Sequence, residues 1–128
     1  MKLLLDTHAL IWFFAGDERL SPRARDAILD PRALVHISAA SAMEIASKHR
    51  LGKLSQAETL VRDLVTMADE QGFAALPVTL AHALRAGALT VPHRNPFDRL
   101  LIAQSQIEQA ALVSNEALFD DWGVDRLW

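Results

Sequence analysis

Leu3-Leu4-Leu5-Asp6 sets the fold class. A strand that is apolar on both faces needs cover on both sides, which is the habit of strands in a parallel sheet. Here the run ends on an acid. Comparable runs follow at Leu34-Val35-His36-Ile37, from Phe73 to Val78 with Pro77 near its end, and at Ala111-Leu112-Val113. Asp125-Arg126-Leu127-Trp128 reads as a short edge strand. Helical patterns lie between these runs. Ser21-Pro22 places a cap before a proline at the first helical position, and Ser55-Gln56-Ala57-Glu58 has the form of a capping box. Ala57, Leu60, Val61, Leu64, Val65 and Ala68 then form an apolar stripe that Gly72 terminates. Thr79 opens a short helix that stops near Gly87. Asn95-Pro96-Phe97-Asp98 opens a strong one, with Leu100, Ala103, Ile107 and Ala110 toward the core. Strand–helix alternation of this kind predicts an α/β domain, a central parallel sheet of about five strands flanked by helices.

The chain has 128 residues and no cysteine, so residues 1–128 read as one domain without disulfides, thiolate metal sites or a thiol nucleophile. No apolar run is long enough to cross a bilayer. Met1-Lys2-Leu3-Leu4-Leu5 meets Asp6 too soon for a secretory signal, so a cytoplasmic protein with no membrane partner is expected. The formal net charge of −3 weighs against a general nucleic-acid coat. It leaves room for an enzyme that holds nucleic acid through metal ions and a local basic rim.

The acids fall at equivalent places. Asp6 ends the first strand, Glu44 lies in the helix after the second, Asp98 is in the first turn of the strong helix, and Glu116 follows the fourth strand. In an open parallel sheet the C-terminal strand ends share one edge, where ligands bind. Each acid also has a plain structural reading. Asp6 can cap a helix, Glu44 can pair with Lys48 at i, i+4, Asp98 can complete the cap begun by Asn95, and Glu116 can complement a helix dipole. Convergence distinguishes the two readings. Two carboxylates 5 Å apart repel by roughly 3 kcal/mol at an effective dielectric of about 20, so four together call for protons or cations. Hard oxygen ligands without cysteine favour Mg²⁺ or Mn²⁺. Thr7, Ser41 and Ser114 can hydrogen-bond a carboxylate or a metal-bound water, or simply cap and pack. Lys48, His49, Arg50 and Lys53, with Arg94 and Arg99 beside Asp98, can meet phosphates or form a solvated, ion-paired surface. His36 reads as a hydrogen-bonded core residue, His8 as a packing residue near the acids, and Trp12, Phe13 and Phe14 as core or an interaction surface.

These residues carry a resemblance to PIN-domain nucleases, and among them to VapC-type toxins of bacterial toxin–antitoxin pairs. Leu4-Leu5-Asp6-Thr7-His8-Ala9-Leu10-Ile11-Trp12 looks like the family's opening strand and first acid. Ile37 through Ala46 resembles its second block, with Glu44 as the acid and Lys48, Gly52 and Lys53 in familiar spacing. His93 through Gln104 resembles the third, with Asp98, and Leu112-Val113-Ser114-Asn115-Glu116 the fourth. Gly123-Val124 through Leu127-Trp128 is similar to the usual ending. The chain departs from the pattern at Glu116 and Asn95, where the family often has Asp, and Asp120 and Asp121 are possible substitutes for Glu116. The resemblance implies a three-layer PIN-like domain with strand order 3-2-1-4-5 and a Mg²⁺- or Mn²⁺-dependent endoribonuclease. It implies Asp6, Glu44, Asp98 and Glu116 as metal-binding catalytic acids, with Thr7, Ser41, Lys48, Lys53 and Arg99 on the substrate side. Metal-activated water would leave a 5′-phosphate and a 3′-hydroxyl on RNA. A homodimer and a cognate antitoxin are implied as partners.

Competing readings use the same acids differently. A receiver-like signalling domain would carry an acidic pair after the first strand and a lysine near the fifth, but Asp6 is followed by Thr7-His8 and the last strand has no lysine. An aspartyl phosphatase needs a second Asp two residues on, where His8 stands. A PIN-fold binding module without activity fits the departures at Asn95 and Glu116.

Overall fold

The computed structural model describes residues 1–128, apart from the side chain of Gln56. Five strands, β1 (Lys2–Leu5), β2 (Leu34–Ser38), β3 (Ala74–Leu76), β4 (Ala111–Val113) and β5 (Arg126–Leu127), form one sheet in the order β3-β2-β1-β4-β5. Every pairing is parallel, with Leu4 opposite His36 on one side and Leu112 on the other. Neighbouring side chains along a strand point to opposite faces. Leu3 and Leu5 therefore join Val35, Ile37, Val113 and Leu127 on one face, where they pack against helices α1 (Thr7–Ala15), α2 (Pro22–Leu29) and α4 (Glu58–Gln71). Leu4 and Leu112 face the other way, onto Leu101 and Ile102 of α6 (Pro96–Glu108) and onto Phe119. Helix α3 (Ala39–Arg50) contributes Ile45 to the first core, and α5 (Leu80–Ala88) packs along α6. The predicted three-layer α/β arrangement and strand order are both observed.

Strand order reverses at β1. The chain builds outward through β2 and β3, then returns to place β4 on the far side of β1. The C-terminal ends of β1 and β4 thus flank a crevice, joined at its floor by the Asp6 amide donating to the Val113 carbonyl at 3.0 Å.

Several local expectations shift. The stripe on α4 is narrower than its sequence pattern, because Leu60 is buried with Leu64, Met67 and Ala68 packed beside it while Val61 and Val65 are exposed. Each residue advances about 100° around a helix, so positions 61 and 65 leave the face that 57, 60, 64 and 68 share. The Ser55–Glu58 capping box does not form. A 3-10 turn over Ser55–Ala57 precedes α4, whose N-cap is Ala57 without a side-chain bond. On α6 the buried residues are Leu101, Ile102, Ala103, Gln104 and Ser105, whereas Ile107 is exposed. Sheet, α3 and α5 all pack on this helix, so its inner face is turned from the single stripe that the sequence suggests. His36 is half-exposed, with Nδ1 3.2 Å from the Leu34 carbonyl, and is not a core residue.

One side chain closes the segment between α5 and α6. The Arg99 guanidinium donates to the carbonyls of Ala86 (3.0 Å), Gly87 (3.4 Å), Leu89 (2.5 Å), Val91 (3.1 Å) and His93 (2.9 Å). A planar fork reaches carbonyls in several directions, which an ammonium cannot do. Arg99→Lys is expected to lower unfolding free energy by about 3 kcal/mol, since more than one charge-assisted bond is lost. Urea unfolding of the purified variant checks this, and a change of a few tenths of a kcal/mol would show the carbonyl clamp to be unimportant.

Candidate active site

At the end of β1 the backbone of Asp6 stays extended while α1 begins at the next residue. Its carboxylate accepts from the Ala9 amide at 2.8 Å and so caps α1. The side chain is buried, and burial pushes its pKa from 3.8 up to about 6. The Ser114 hydroxyl, the Ala9 amide and the charge of His8 oppose that rise, and the charge of Asp98 adds to it.

Glu44 projects from the buried face of α3. One of its oxygens lies 2.5 Å from the Thr7 hydroxyl and the other 2.6 Å from Lys48 Nζ. Thr7 Oγ1 is also 3.1 Å from Ser41 Oγ. A hydroxyl has one proton, so Thr7 donates to the carboxylate and accepts from Ser41. The i, i+4 pair with Lys48 thus exists, but it sits at a buried acid rather than on a solvated face.

Asp98 stands in the first turn of α6. Asn95 caps that helix through Oδ1, which accepts from the amides of Phe97 (2.9 Å) and Asp98 (3.3 Å). Pro96 supplies a preset φ and has no amide to satisfy. The Asp98 carboxylate is 2.7 Å from His93 Nε2. Glu116 is exposed and caps a 3-10 segment, Ala117–Trp122, by accepting from the Leu118 amide at 3.2 Å. Its own amide donates to Ser114 Oγ at 3.0 Å.

Asp6, Glu44, Asp98 and Glu116, from four separate segments, line one cleft of about 110 Å³ together with Thr7, His8, Lys48, Asn95, Asn115 and Phe119. Ser41 is buried behind Thr7, outside the lining. Lys53 is exposed and lies outside it as well. Arg99 is also outside, because the loop carbonyls engage its guanidinium, so the structure gives it a structural position rather than the expected one at the substrate rim. Asp120, weighed as a substitute for Glu116, is paired with Arg126 at 2.8 and 2.9 Å, and Asp121 is exposed. Sequence reading passed over His93 and Asn115 and took His8 for packing. His8 is exposed at the cleft and stacks on Trp12 with ring centroids 5.5 Å apart.

Among the described residues, no three His, Asp or Glu side chains meet as a ready-made cation cage. Each acid is held by its own donors instead. The donor chemistry nonetheless suits a hard divalent cation: four carboxylates, no thiolate, and a buried Asp6 whose raised pKa marks negative charge that local donors leave under-compensated.

Comparison with known proteins follows the same lines. The PIN domain family matches residues 3–123. No curated protein matches the chain in sequence. In fold it is similar to a chain of VapBC2 from Rickettsia felis, solved bound to a DNA fragment from their promoter, with a TM-score of 0.69 and 16% identity over 96% of this chain and 94% of that one. It is also similar to a chain of a toxin-antitoxin complex from Klebsiella pneumoniae, with a TM-score of 0.61 and 22% identity over 91% and 89% of the two chains.

The Asp6 shift has a definite sign. Above about pH 6 the carboxylate is charged in both folded and unfolded chains, and the burial penalty is fully present. Between about 6 and 3.8 the folded protein takes up a proton that the unfolded chain does not, so the penalty is relieved as pH falls. In metal-free protein, Asp6→Asn is therefore expected to raise stability near pH 7.5 by about 3 kcal/mol, with the advantage gone near pH 4. Asn keeps the helix cap. Urea unfolding at both pH values measures it, and a variant no more stable than wild type at pH 7.5 would contradict the penalty.

Proposed function

The chain belongs to the PIN-domain family of nucleases, and from that premise we propose that it is a metal-dependent endoribonuclease of the VapC toxin type, with residues 1–128 as one PIN domain. The supporting observation is the cleft itself. Acids from the end of β1, from α3, from the start of α6 and from the segment after β4 line one small opening at the C-terminal edge of the sheet. Asp6, Glu44, Asp98 and Glu116 would hold Mg²⁺ or Mn²⁺. When bound, such an ion supplies Lewis acidity to a phosphoryl oxygen and a lowered pKa to a water.

The chain's own groups do the rest. Thr7, backed by Ser41, fixes one oxygen of Glu44, and the cap to Ala9 fixes the Asp6 carboxylate. Lys48 Nζ lines the cleft beside Glu44 and can meet a phosphate there. Exposed Arg50, Lys53 and Arg94 supply local positive charge to a chain whose net charge is −3. Hydrolysis by water would leave a 5′-phosphate and a 3′-hydroxyl. A cognate antitoxin and a second copy of the chain are the proposed partners, and a cytoplasmic location goes with the RNA substrate. Exposed Leu80 and Leu84 on α5 support a surface made for protein contact.

Purified protein, freed of any antitoxin, is expected to cut cellular RNA at discrete sites with Mg²⁺ or Mn²⁺, and not with EDTA. Asp98→Asn should abolish the cuts while circular dichroism stays unchanged. Full cleavage by that variant would defeat the site assignment. Lys53→Ala should weaken RNA binding and flatten the plot of log affinity against log salt by about one; an unchanged affinity and slope would remove Lys53 from the substrate rim.

A further inference from the structure

We propose that His93 is a positioning residue for Asp98: its imidazole fixes one carboxylate oxygen so that the other is presented to the cleft as a cation ligand. This rests on the reading of the cleft as a carboxylate cation site. Asp98 is the third residue of α6, counted from Pro96. An acid at that position commonly folds back onto the N-cap amide. Here it is held from outside the helix, with Oδ2 2.7 Å from His93 Nε2. With that oxygen engaged, Oδ1 remains for the cleft that Asp98 lines.

Three contacts hold His93 in turn, two on its ring and one on its main chain. Its ring packs on Trp122 with centroids 5.0 Å apart. Phe119 meets it edge-on at 6.1 Å. Its carbonyl accepts from Arg99 at 2.9 Å, and Arg99 also holds the carbonyls of Leu89 and Val91. Phe119 is fully buried and itself lines the cleft. The aromatic pair follows β4 in the segment that Glu116 opens, so it ties the third acid's orientation to the element that carries the fourth. A side chain needed only to close a loop would not require an aromatic wedge, a main-chain clamp and a short bond to a cleft acid. A hydrogen-bonded partner that orients a ligand typically changes metal affinity 10- to 100-fold when removed.

Two variants separate orientation from packing. His93→Phe keeps a ring against Trp122 and removes the donor. His93→Gln loses the ring but offers an amide N–H at similar reach. Mn²⁺ dissociation constants for full-length protein are measured by electron paramagnetic resonance titration, with thermal unfolding in EDTA as the structural control. His93→Phe is expected to weaken Mn²⁺ binding by roughly 10- to 100-fold without loss of metal-free stability, and His93→Gln to recover most of the affinity. Unchanged Mn²⁺ affinity in His93→Phe, or a Gln variant as weak as the Phe variant, overturns the proposal and leaves the cleft reading standing. A wild-type protein that binds no Mn²⁺ overturns the cleft reading, and the role of His93 with it. If His93→Phe does not fold, His93→Leu takes its place against His93→Gln, with the same two outcomes.

Discussion

The buried carboxylate of Asp6 joins the fold and the cleft. It ends the central strand, starts α1 through its bond to the Ala9 amide, and faces the opening that three other acids line. A neutral cap such as serine would start the helix equally well. Charge in that place costs stability, because burial disfavours the ionised form. The sheet can carry that cost because its centre is fully apolar: Leu3, Leu4 and Leu5 have no exposed surface, and neither do Leu112 and Val113 across the pairing. An acid at the end of the best-packed strand is held where packing is least able to yield. Rigidity of this kind is what a cation site needs, since ligands that must reorganise bind weakly.

The remaining acids are held in graded ways. Glu44 is at least as deeply buried as Asp6, but Lys48 and Thr7 share its charge, whereas Asp98 has His93 at the margin of the cleft. Glu116 is exposed and bonded only to a local amide. Glu116 is therefore the least restrained of the four. The fourth acid is also one methylene longer than the Asp of the pattern it resembles, so its carboxylate has both the reach and the freedom to adjust. Asp6, Glu44 and Asp98 form the fixed part of the cleft lining, and Glu116 its adaptable part.

Much of this is legible in the sequence where the signal is local. Apolar triplets mark β1 and β4, Asn95-Pro96 marks the start of α6, and Gly72 marks the end of α4, because strand cover, proline geometry and left-handed backbone each leave their own residue type. The four acids stood out by their placement after strands and at helix starts, but the order of strands came through resemblance, which compresses long-range information that no single window contains. What local reading misses depends on partners far away. Val61 and Val65 fit a helical stripe, yet only the distance to the sheet decides that they stay outside. The Ser55–Glu58 box fits a cap, yet a 3-10 turn moves the helix start by a few residues. Nothing in a list of residue types says that His93 turns toward Asp98, since that requires Trp122, Phe119 and the Arg99 clamp to be in place.

Arg99 makes the same point for charge. Next to a cleft acid in sequence, it invites assignment to a phosphate or to Asp98 itself. Instead its guanidinium lies among main-chain carbonyls of the segment before α6, where each bond stiffens the loop that presents His93. Two neighbouring residues thus divide the work: Asp98 faces the cleft, and Arg99 holds the backbone that holds Asp98's partner. The division also bears on how an acidic protein can approach a polyanion. Basic residues paired inside the fold add little to attraction, and Lys48 already shares its charge with Glu44, so contact with the proposed substrate would fall mainly to exposed cations such as Arg50, Lys53 and Arg94. Attraction from so few charges is weak and easily screened. Affinity in such a site must then come chiefly from the cleft itself, where a cation held by the four acids would turn a repulsive surface into one that accepts a phosphate.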